Sequence, residues 1–266
     1  MITIIKKLFS MKCFSKLKVL FVLLIFLISS CVSKKQVLYM QNINAIDITE
    51  ISSSEYTFQE NDILKIDVTS IEMKASIPYN KVSPTNGIGN SLNLIQLDGY
   101  LVTKKKTINF PVLGEISVEG KTTTDLENYL KQRLESEGHL INSNVTVRLL
   151  NSKVTILGEV RNPGTFTFTE KNMSLLQVLG LAGDLTIDGN RQDIILIREA
   201  DGKRTVVNID LTSANWLLSP YQNVQPNDVL IINPNSKKVK SAGLIGNIST
   251  ALSIASILLS TIILIR

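Results

Sequence analysis

Few residues in this chain have the type and spacing that catalysis requires. His139 is the only histidine among 266 residues, and it follows Gly138 at the end of a predicted helix, where a capping or exposed role is typical. Asp98 precedes a glycine, and Asp-Gly is a strong signal for a tight hairpin turn rather than for acid–base chemistry. No Ser/His/Asp order, metal-ligand cluster or paired-carboxylate motif stands out in the sequence. The sequence therefore predicts a protein that is not an enzyme and needs neither metal nor cofactor.

The residue best placed for covalent modification is Cys31. Lysines precede an apolar run over residues 19–28, and two serines follow it, which is the layout of a secretory signal peptide. The run of about ten residues is too short to span a bilayer comfortably. Ile28-Ser29-Ser30-Cys31 resembles the lipobox of bacterial lipoproteins, and this resemblance implies cleavage before Cys31 and acylation of its thiol. The alternative is an ordinary signal peptide that ends by chance at a cysteine.

The charge distribution argues against a nucleic-acid partner. The formal net charge is +5, but residues 1–30 hold five lysines and no acidic residue. The rest of the chain carries 23 basic and 23 acidic residues, so the basic character belongs to the targeting segment. Because both cysteines, Cys13 and Cys31, lie near the start, the rest of the chain has no disulfide or cysteine–metal site.

The most regular pattern lies between residues 98 and 150. A β-prone run over 107–112 and a second run bracketed by Gly114 and Gly120 predict two short strands. Thr122–Asp125 then offers helix N-caps, and apolar residues follow at helical spacing until Gly138. Alternating residues from Val145 onward predict a closing strand.

These residues also carry a family resemblance. Asp98-Gly99, then Phe110-Pro111 with Leu113-Gly114, then the capped helix and the Val-Thr-Val strand, resemble the polysaccharide export domain of Wza-type outer-membrane exporters. The resemblance runs from about residue 56 to 234 and includes 154–166 (VTILGEVRNPGTF). Asn61-Asp62 matches an opening motif in which glycine usually stands at the first position, and asparagine tolerates the left-handed conformation.

A second unit is predicted after residue 150. The pattern Leu-Gly-Glu-(Ile/Val) recurs 44 residues apart, with Glu115 and Glu159 as exposed turn-flanking positions, and each copy precedes a capped helix. The order strand, strand, helix and three strands suggests a β-grasp arrangement, and the unit resembles the soluble-ligand-binding β-grasp module found beside export domains. We interpret Trp216 as an anchor for packing between domains or subunits rather than as a sugar-stacking residue.

The C-terminal segment predicts a membrane-spanning helix. Residues 242–265 contain no charge and would extend roughly 36 Å as a helix. Its small residues recur at intervals of three and four, which places them on one stripe: Gly246, Ser249, Ser253, Ser256 and Ser260. The stripe fits a simple anchor whose serines bond their own backbone, a helix–helix interface, or the lumen-facing side of a ring of helices. The family resemblance favours the ring.

The predicted fold class is α+β, with an export domain, a β-grasp-like domain and a C-terminal membrane-spanning helix. The expected segments are a lipoprotein signal peptide (1–30), a lipid-anchored tether (31–55), the export domain (56–150), the β-grasp domain (151–236) and the helix (242–265).

The resemblance implies a subunit of an oligomeric outer-membrane channel for capsular or extracellular polysaccharide. Such a protein would be a lipid-anchored homo-oligomeric ring, with an octamer as one candidate size, and most of the chain would lie in the periplasm. Its partners would be the polysaccharide, outer-membrane lipid and an inner-membrane polysaccharide co-polymerase or tyrosine kinase. The alternative is a periplasmic sugar-binding or scaffolding lipoprotein that forms no pore, and a polymer-trimming enzyme comes third.

Overall fold

The computed structural model describes residues 37–43, 55–81, 98–242, 252–257 and 260–261. The predicted signal peptide, Cys31 and most of the predicted C-terminal helix lie outside these residues. The chain divides into two units, residues 1–38 and residues 39–266. Two hydrophobic cores occupy the second unit. Within it, we call residues 55–150 the first lobe and residues 151–241 the second lobe.

The first lobe contains a small antiparallel sheet, a hairpin and one long helix. Its elements are β1 (Ile63–Thr69), α1 (Met73–Ser76), a 3₁₀ turn (Ile77–Tyr79), β2 (Tyr100–Leu101), β3 (Thr107–Phe110), β4 (Gly114–Ser117), α2 (Thr123–Ser136) and β5 (Asn144–Leu149). The sheet has the order β2-β1-β5, and β3 pairs with β4. The strands and the helix predicted between residues 107 and 149 are confirmed.

The period of each element explains the first core. In β1, Leu64, Ile66 and Val68 are buried and alternate with exposed or half-buried residues, so one face of the strand meets the core. In α2, three leucines at intervals of four are completely buried, namely Leu126, Leu130 and Leu134. Burial of each contributes roughly 1.5–3 kcal/mol.

The limits of α2 follow from its end residues. The hydroxyl of Thr122 accepts the N–H of Asp125, and the carboxylate of Asp125 accepts the N–H of Thr122. This reciprocal capping box satisfies two N–H groups that the helix leaves unpaired. Beyond the helix, Gly138 adopts a φ of 74°, a left-handed conformation that glycine reaches without a side-chain clash.

The second lobe contains a five-stranded mixed sheet, a separate pair of short strands and two helices. Its elements are β6 (Lys153–Gly158), β7 (Gly164–Thr167), β8 (Met173–Ser174), α3 (Leu175–Leu181), β9 (Gly189–Ala200), β10 (Lys203–Ile209), a 3₁₀ turn (Asn215–Leu218), β11 (Asn223–Val224), β12 (Val229–Pro234) and α4 (Ser236–Ser241). The sheet has the order β10-β9-β12-β6-β7, in which β12 and β6 are parallel, and β8 pairs with β11. The five predicted strands and the predicted helix are present in the predicted order, and the structure adds the short strands β8 and β11 and the helix α4.

The repeated Leu-Gly-Glu pattern occupies different places in the two lobes. Gly114 opens β4 and pairs with Phe110 across the hairpin. In the second lobe the residue at that place is Gly164, which pairs with Ile156, while Gly158 ends β6. Both copies give strand, turn, strand and helix, but the residues that look equivalent in sequence are not equivalent in structure.

Part of the segment predicted as a tether is docked. The N–H groups of Met40 and Gln41 donate to the carbonyls of Leu211 and Thr212 over 2.9 and 2.8 Å. Tyr39 and Met40 also pack against the second core. Residues 39–42 therefore extend the edge of the second lobe rather than forming a free arm.

Candidate functional site

Half of the six predicted site residues lie beyond the described part of the chain. Cys31, Gly246 and Ser249 lie outside it. Ser253, Ser256 and Ser260 lie in short helical stretches, where the hydroxyls of Ser256 and Ser260 donate to the carbonyls of Ser253 and Ser256, each over 2.8 Å. Serine hydroxyls commonly make such bonds to a carbonyl three or four residues earlier in a helix. Among the described residues, no helix combines the length and the apolar character needed to cross a bilayer.

The residues weighed for catalysis are dispersed. His139 lies half-buried, with its Nε2 3.3 Å from a carboxylate oxygen of Glu137 and its ring edge-on to Tyr79. Glu115 accepts the hydroxyl of Thr107 in the first lobe, and Glu159 accepts that of Thr186 in the second. Over the described ranges, no group of three or more His, Cys, Asp or Glu side chains could hold a metal ion.

The aromatic residues considered for sugar stacking belong to the second core. Phe168 and Trp216 are buried, and Phe166 and Tyr221 pack against the same cluster. Tyr221 also lies beneath the guanidinium of Arg198, 5.4 Å from the ring centroid. Trp216 therefore packs within the second lobe. The interpretation of Trp216 as an anchor between domains is therefore wrong, because its packing partners all belong to the core of the second lobe.

The two lobes meet where β9 turns into β10. Asp201 at this turn forms a salt bridge with Lys106, and its N–H donates to the side-chain oxygen of Gln59 over 3.0 Å. At the chain connection, the side chain of Asn151 accepts the N–H of Ile63 and donates to the carbonyl of Asn61, each over 2.9 Å. This junction joins the lobes through polar bonds.

Two turns of the same construction face this junction. Asn61 and Asn227 have φ values of 69° and 68°, and each precedes an aspartate that is 1% exposed, Asp62 or Asp228. In each turn the carboxylate accepts the N–H of the glutamine three residues earlier over 2.8 Å. The signal is present in the sequence as Gln-x-Asn-Asp-(Ile/Val)-Leu, beginning at residues 59 and 225. This short repeat was missed from the sequence, where only the Leu-Gly-Glu repeat was recognised.

The two buried carboxylates have different partners. Asp62 accepts the hydroxyl of Tyr56 at 2.9 Å, and burial raises the pKa of Asp62 to about 6 despite the N–H of Gln59 and the Tyr56 hydroxyl, which favour the ionised form. Burial also raises the pKa of Asp228, but the guanidinium of Arg198 opposes this shift through bonds of 3.0 and 2.7 Å. One carboxylate is thus held by neutral donors and the other by a cation.

A cleft of about 630 Å³ opens beside the junction. Its walls include Tyr56 and Glu60 from the first lobe and Glu199, Lys203 and Arg204 from the second. Charges of both signs line it, so it offers hydrogen-bond donors and acceptors to a polar ligand. None of the wall residues is arranged as a nucleophile with a base, and the cleft supports binding rather than catalysis.

Comparison with known families matches both lobes. Residues 50–150 match the family described as polysaccharide biosynthesis/export protein. Residues 153–208 match the SLBB domain. The two matches follow each other in the order expected from the resemblance, and the second ends within the β9–β10 hairpin.

Curated relatives are similar over much of this chain. The EPS I polysaccharide export outer membrane protein EpsA of Ralstonia solanacearum is 22% identical over 196 residues, covering 70% of this chain and 48% of the relative. EpsA of Ralstonia nicotianae is 30% identical over 124 residues, covering 43% and 32%. The capsule polysaccharide export outer membrane protein CtrA of Neisseria meningitidis serogroup B is 26% identical over 218 residues, covering 79% and 53%.

The chain thus spans between about a third and about half of the length of these relatives. Their names and the matched families describe export proteins rather than enzymes, in agreement with the prediction that the chain is not an enzyme. The chain thus has a polysaccharide biosynthesis/export domain followed by an SLBB domain, and this order supports its place in the Wza-type export family.

Proposed function

We propose that this protein is an outer-membrane component of a machine that exports capsular or extracellular polysaccharide. The observation that carries the proposal is the match of both lobes, in order, to an export domain and an SLBB domain. The names of the relatives support the substrate class and the location. The junction between the lobes supports binding of polysaccharide rather than its chemical modification, because its polar bonds and cleft offer hydrogen-bond partners but no nucleophile arranged with a base.

The finer proposal concerns attachment and assembly. Cys31 is the site of lipid attachment, residues 1–30 are removed as a signal peptide, and residues 242–265 cross the outer membrane. Several copies form a ring, with eight as one candidate size, and the stripe from Gly246 to Ser260 lines the passage or the contact between helices. An inner-membrane polysaccharide co-polymerase or tyrosine kinase supplies the coupling to synthesis.

One observation favours a second candidate function. The hydroxyls of Ser256 and Ser260 donate to the backbone carbonyls of Ser253 and Ser256, which suits an anchor that forms no pore. The protein would then be a periplasmic scaffold or sugar-binding lipoprotein of the same export machine, with its export and SLBB domains (56–150 and 151–236) performing the function.

The proposed function is tested by deleting the gene in the source organism and restoring it in trans. We expect surface polysaccharide to fall at least tenfold and to recover with the full chain, and we expect the protein in the outer-membrane fraction. Unchanged surface polysaccharide would contradict an export role.

The native mass in mild detergent separates the two candidates. A closed ring that is lost when Ser253, Ser256 and Ser260 are changed to leucine would support a pore built from these helices. Substitution of Leu252, Ile254 and Ile257, which are also exposed, by valine is the matched control. A monomer, confirmed by cross-linking in cells, would favour the scaffold.

A further inference from the structure

One short loop of the second lobe binds both the segment at residues 39–42 and the segment that follows β12. The hydroxyl of Tyr39, near the start, donates to a carboxylate oxygen of Asp184 over 2.6 Å. Directly after β12, the N–H of Asn235 donates to the carbonyl of Asp188 over 2.6 Å, and the ammonium of Lys238 lies 3.2 Å from the Asp188 carboxylate. The segment around Tyr39 and the segment that contains Asn235 and Lys238 therefore both contact residues 183–188, which we call the hub loop.

Further contacts attach the hub loop to the start of β9 and to Tyr39. The guanidinium of Arg191 donates to the carbonyls of Thr186 and Gly189 over 3.2 and 2.9 Å. It also lies over the ring of Tyr39, 5.6 Å from the centroid. Gly189 has no room for a side chain, because a Cβ atom there would lie 2.9 Å from the carbonyl oxygen of Glu159. These contacts pack the hub loop against the start of β9 and against Glu159.

The β9–β10 hairpin separates the hub loop from the first lobe. β9 begins at Gly189, directly after the hub loop, and ends at Ala200, next to the Asp201 junction. Its 12 residues extend roughly 35–40 Å at the rise of an antiparallel strand. The first lobe is therefore attached at the end of the hairpin opposite the hub loop.

We propose that the hub loop and α4 form the surface of this protein that faces the lipid headgroups of its membrane, with Asp184 holding the lipidated N-terminal segment and Asp188 holding the start of the C-terminal segment. This inference rests on the proposed function through the acylation of Cys31. Eight residues of extended chain from Cys31 to Tyr39 reach at most about 29 Å, so an acyl anchor keeps Tyr39 near the membrane. α4 presents exposed lysines at positions 237, 238 and 240, which suit phosphate-bearing headgroups.

Three exposed apolar residues provide matched positions at which contact with lipid can be probed. Ile187 in the hub loop, Val206 in β10 and Ile141 in the first lobe are all exposed apolar residues, at 71%, 61% and 80%. A photo-crosslinking amino acid is placed at each position in turn in the full chain expressed in cells. Lipid adducts are then measured by mass spectrometry, and a probe at Val32, beside the acylated cysteine, shows that adducts can form.

The proposal predicts a lipid-adduct yield at Ile187 at least fivefold above the yields at Val206 and Ile141. It is overturned if Ile141 gives adducts as readily as Ile187, or if Ile187 gives none while Val32 does. Adducts at Ile187 in a strain whose polysaccharide export does not depend on this gene would leave the inference standing and refute the proposed function. Without adducts at Val32, membrane attachment itself fails, and the inference fails with it.

A second measurement tests the role of Asp184. Asp184→Asn and Tyr39→Phe weaken or remove the bond between the N-terminal segment and the hub loop without adding bulk. We expect either variant to reduce the adduct yield at Ile187 at least twofold, whereas Asp193→Asn on the same sheet leaves it unchanged. An unchanged yield in both hub variants would overturn the role assigned to Asp184.

Discussion

The buried pair of Arg198 and Asp228 offers a strong test of how the second lobe is held together. Its side chains are 10% and 1% exposed, and the guanidinium also donates to the carbonyl of Asn223 over 2.9 Å. The pair therefore joins β9 to the turn between β11 and β12. Arg198→Met keeps much of the side-chain volume but leaves the Asp228 carboxylate with the N–H of Gln225 and no cation.

Removal of one partner from a buried ion pair costs about 3–5 kcal/mol. For a urea dependence of about 1–3 kcal/mol per molar, this loss lowers the unfolding midpoint by roughly 1–5 M. The penalty should decrease below neutral pH, because burial already raises the pKa of Asp228 and loss of the arginine raises it further. Protonation in the folded state then relieves the unpaired charge.

Urea unfolding of the mature protein in mild detergent measures this effect. The fluorescence of Trp216 reports the second lobe, because it is the only tryptophan in the chain and lies 7% exposed in that core. Arg204→Met is the matched control, since Arg204 and Glu199 form a pair at 69% and 61% exposure, where removal costs about 0–1 kcal/mol. Equal losses in Arg198→Met and Arg204→Met at pH 7 would refute the reasoning.

Single residues provide three further predictions. Burial raises the pKa of Asp62 to about 6, so the folded state binds this proton more tightly than the unfolded state. Asp62 therefore stabilises the fold below pH 4, and about 3 kcal/mol of the free energy of unfolding is lost as the pH rises through 6. Asp62→Asn should make the free energy of unfolding less dependent on pH across that range, and an unchanged pH profile would contradict this. Gly158→Ala should lower the free energy of unfolding in urea by roughly 2–4 kcal/mol, because φ is 91° and the new Cβ would lie 2.1 Å from the carbonyl oxygen of Ile232. Gly164→Ala is the control and should change little, because a Cβ atom there meets nothing within 4 Å. Equal effects of the two variants would be inconsistent with the steric argument. Cys31→Ser should abolish incorporation of radiolabelled palmitate, and persistent labelling would place the lipid elsewhere.

Local patterns predicted most of the elements of the two lobes. The helical spacing of apolar residues in α2 and the cap at Thr122 depend only on neighbours in the chain, and both are confirmed. The Leu-Gly-Glu repeat predicts that Gly114 and Gly158 occupy equivalent positions, and this is wrong because the two residues lie on different sides of their turns. Gly158 ends a strand against Ile232, whereas Gly114 opens one. That difference depends on β12, a strand about 70 residues further along the chain.

The polar contacts between distant segments were not predictable. The bonds from Gln59 to Asp201 and from Tyr39 to Asp184 join residues 142 and 145 positions apart, and no periodicity connects such pairs. The paired Gln-x-Asn-Asp turns are an exception, because their residues are visible in the sequence at 59 and 225. An explicit search for internal repeats would have linked them.

The location of newly made polysaccharide is the measurement that tests an export role most directly. The chain is depleted from growing cells, sugar precursors are pulse-labelled, and labelled polymer is measured outside the cell and in the periplasm. An export role predicts that polymer outside the cell falls while labelled polymer persists in the periplasm or in the inner-membrane fraction. Continued release of labelled polymer at the undepleted rate would contradict the account.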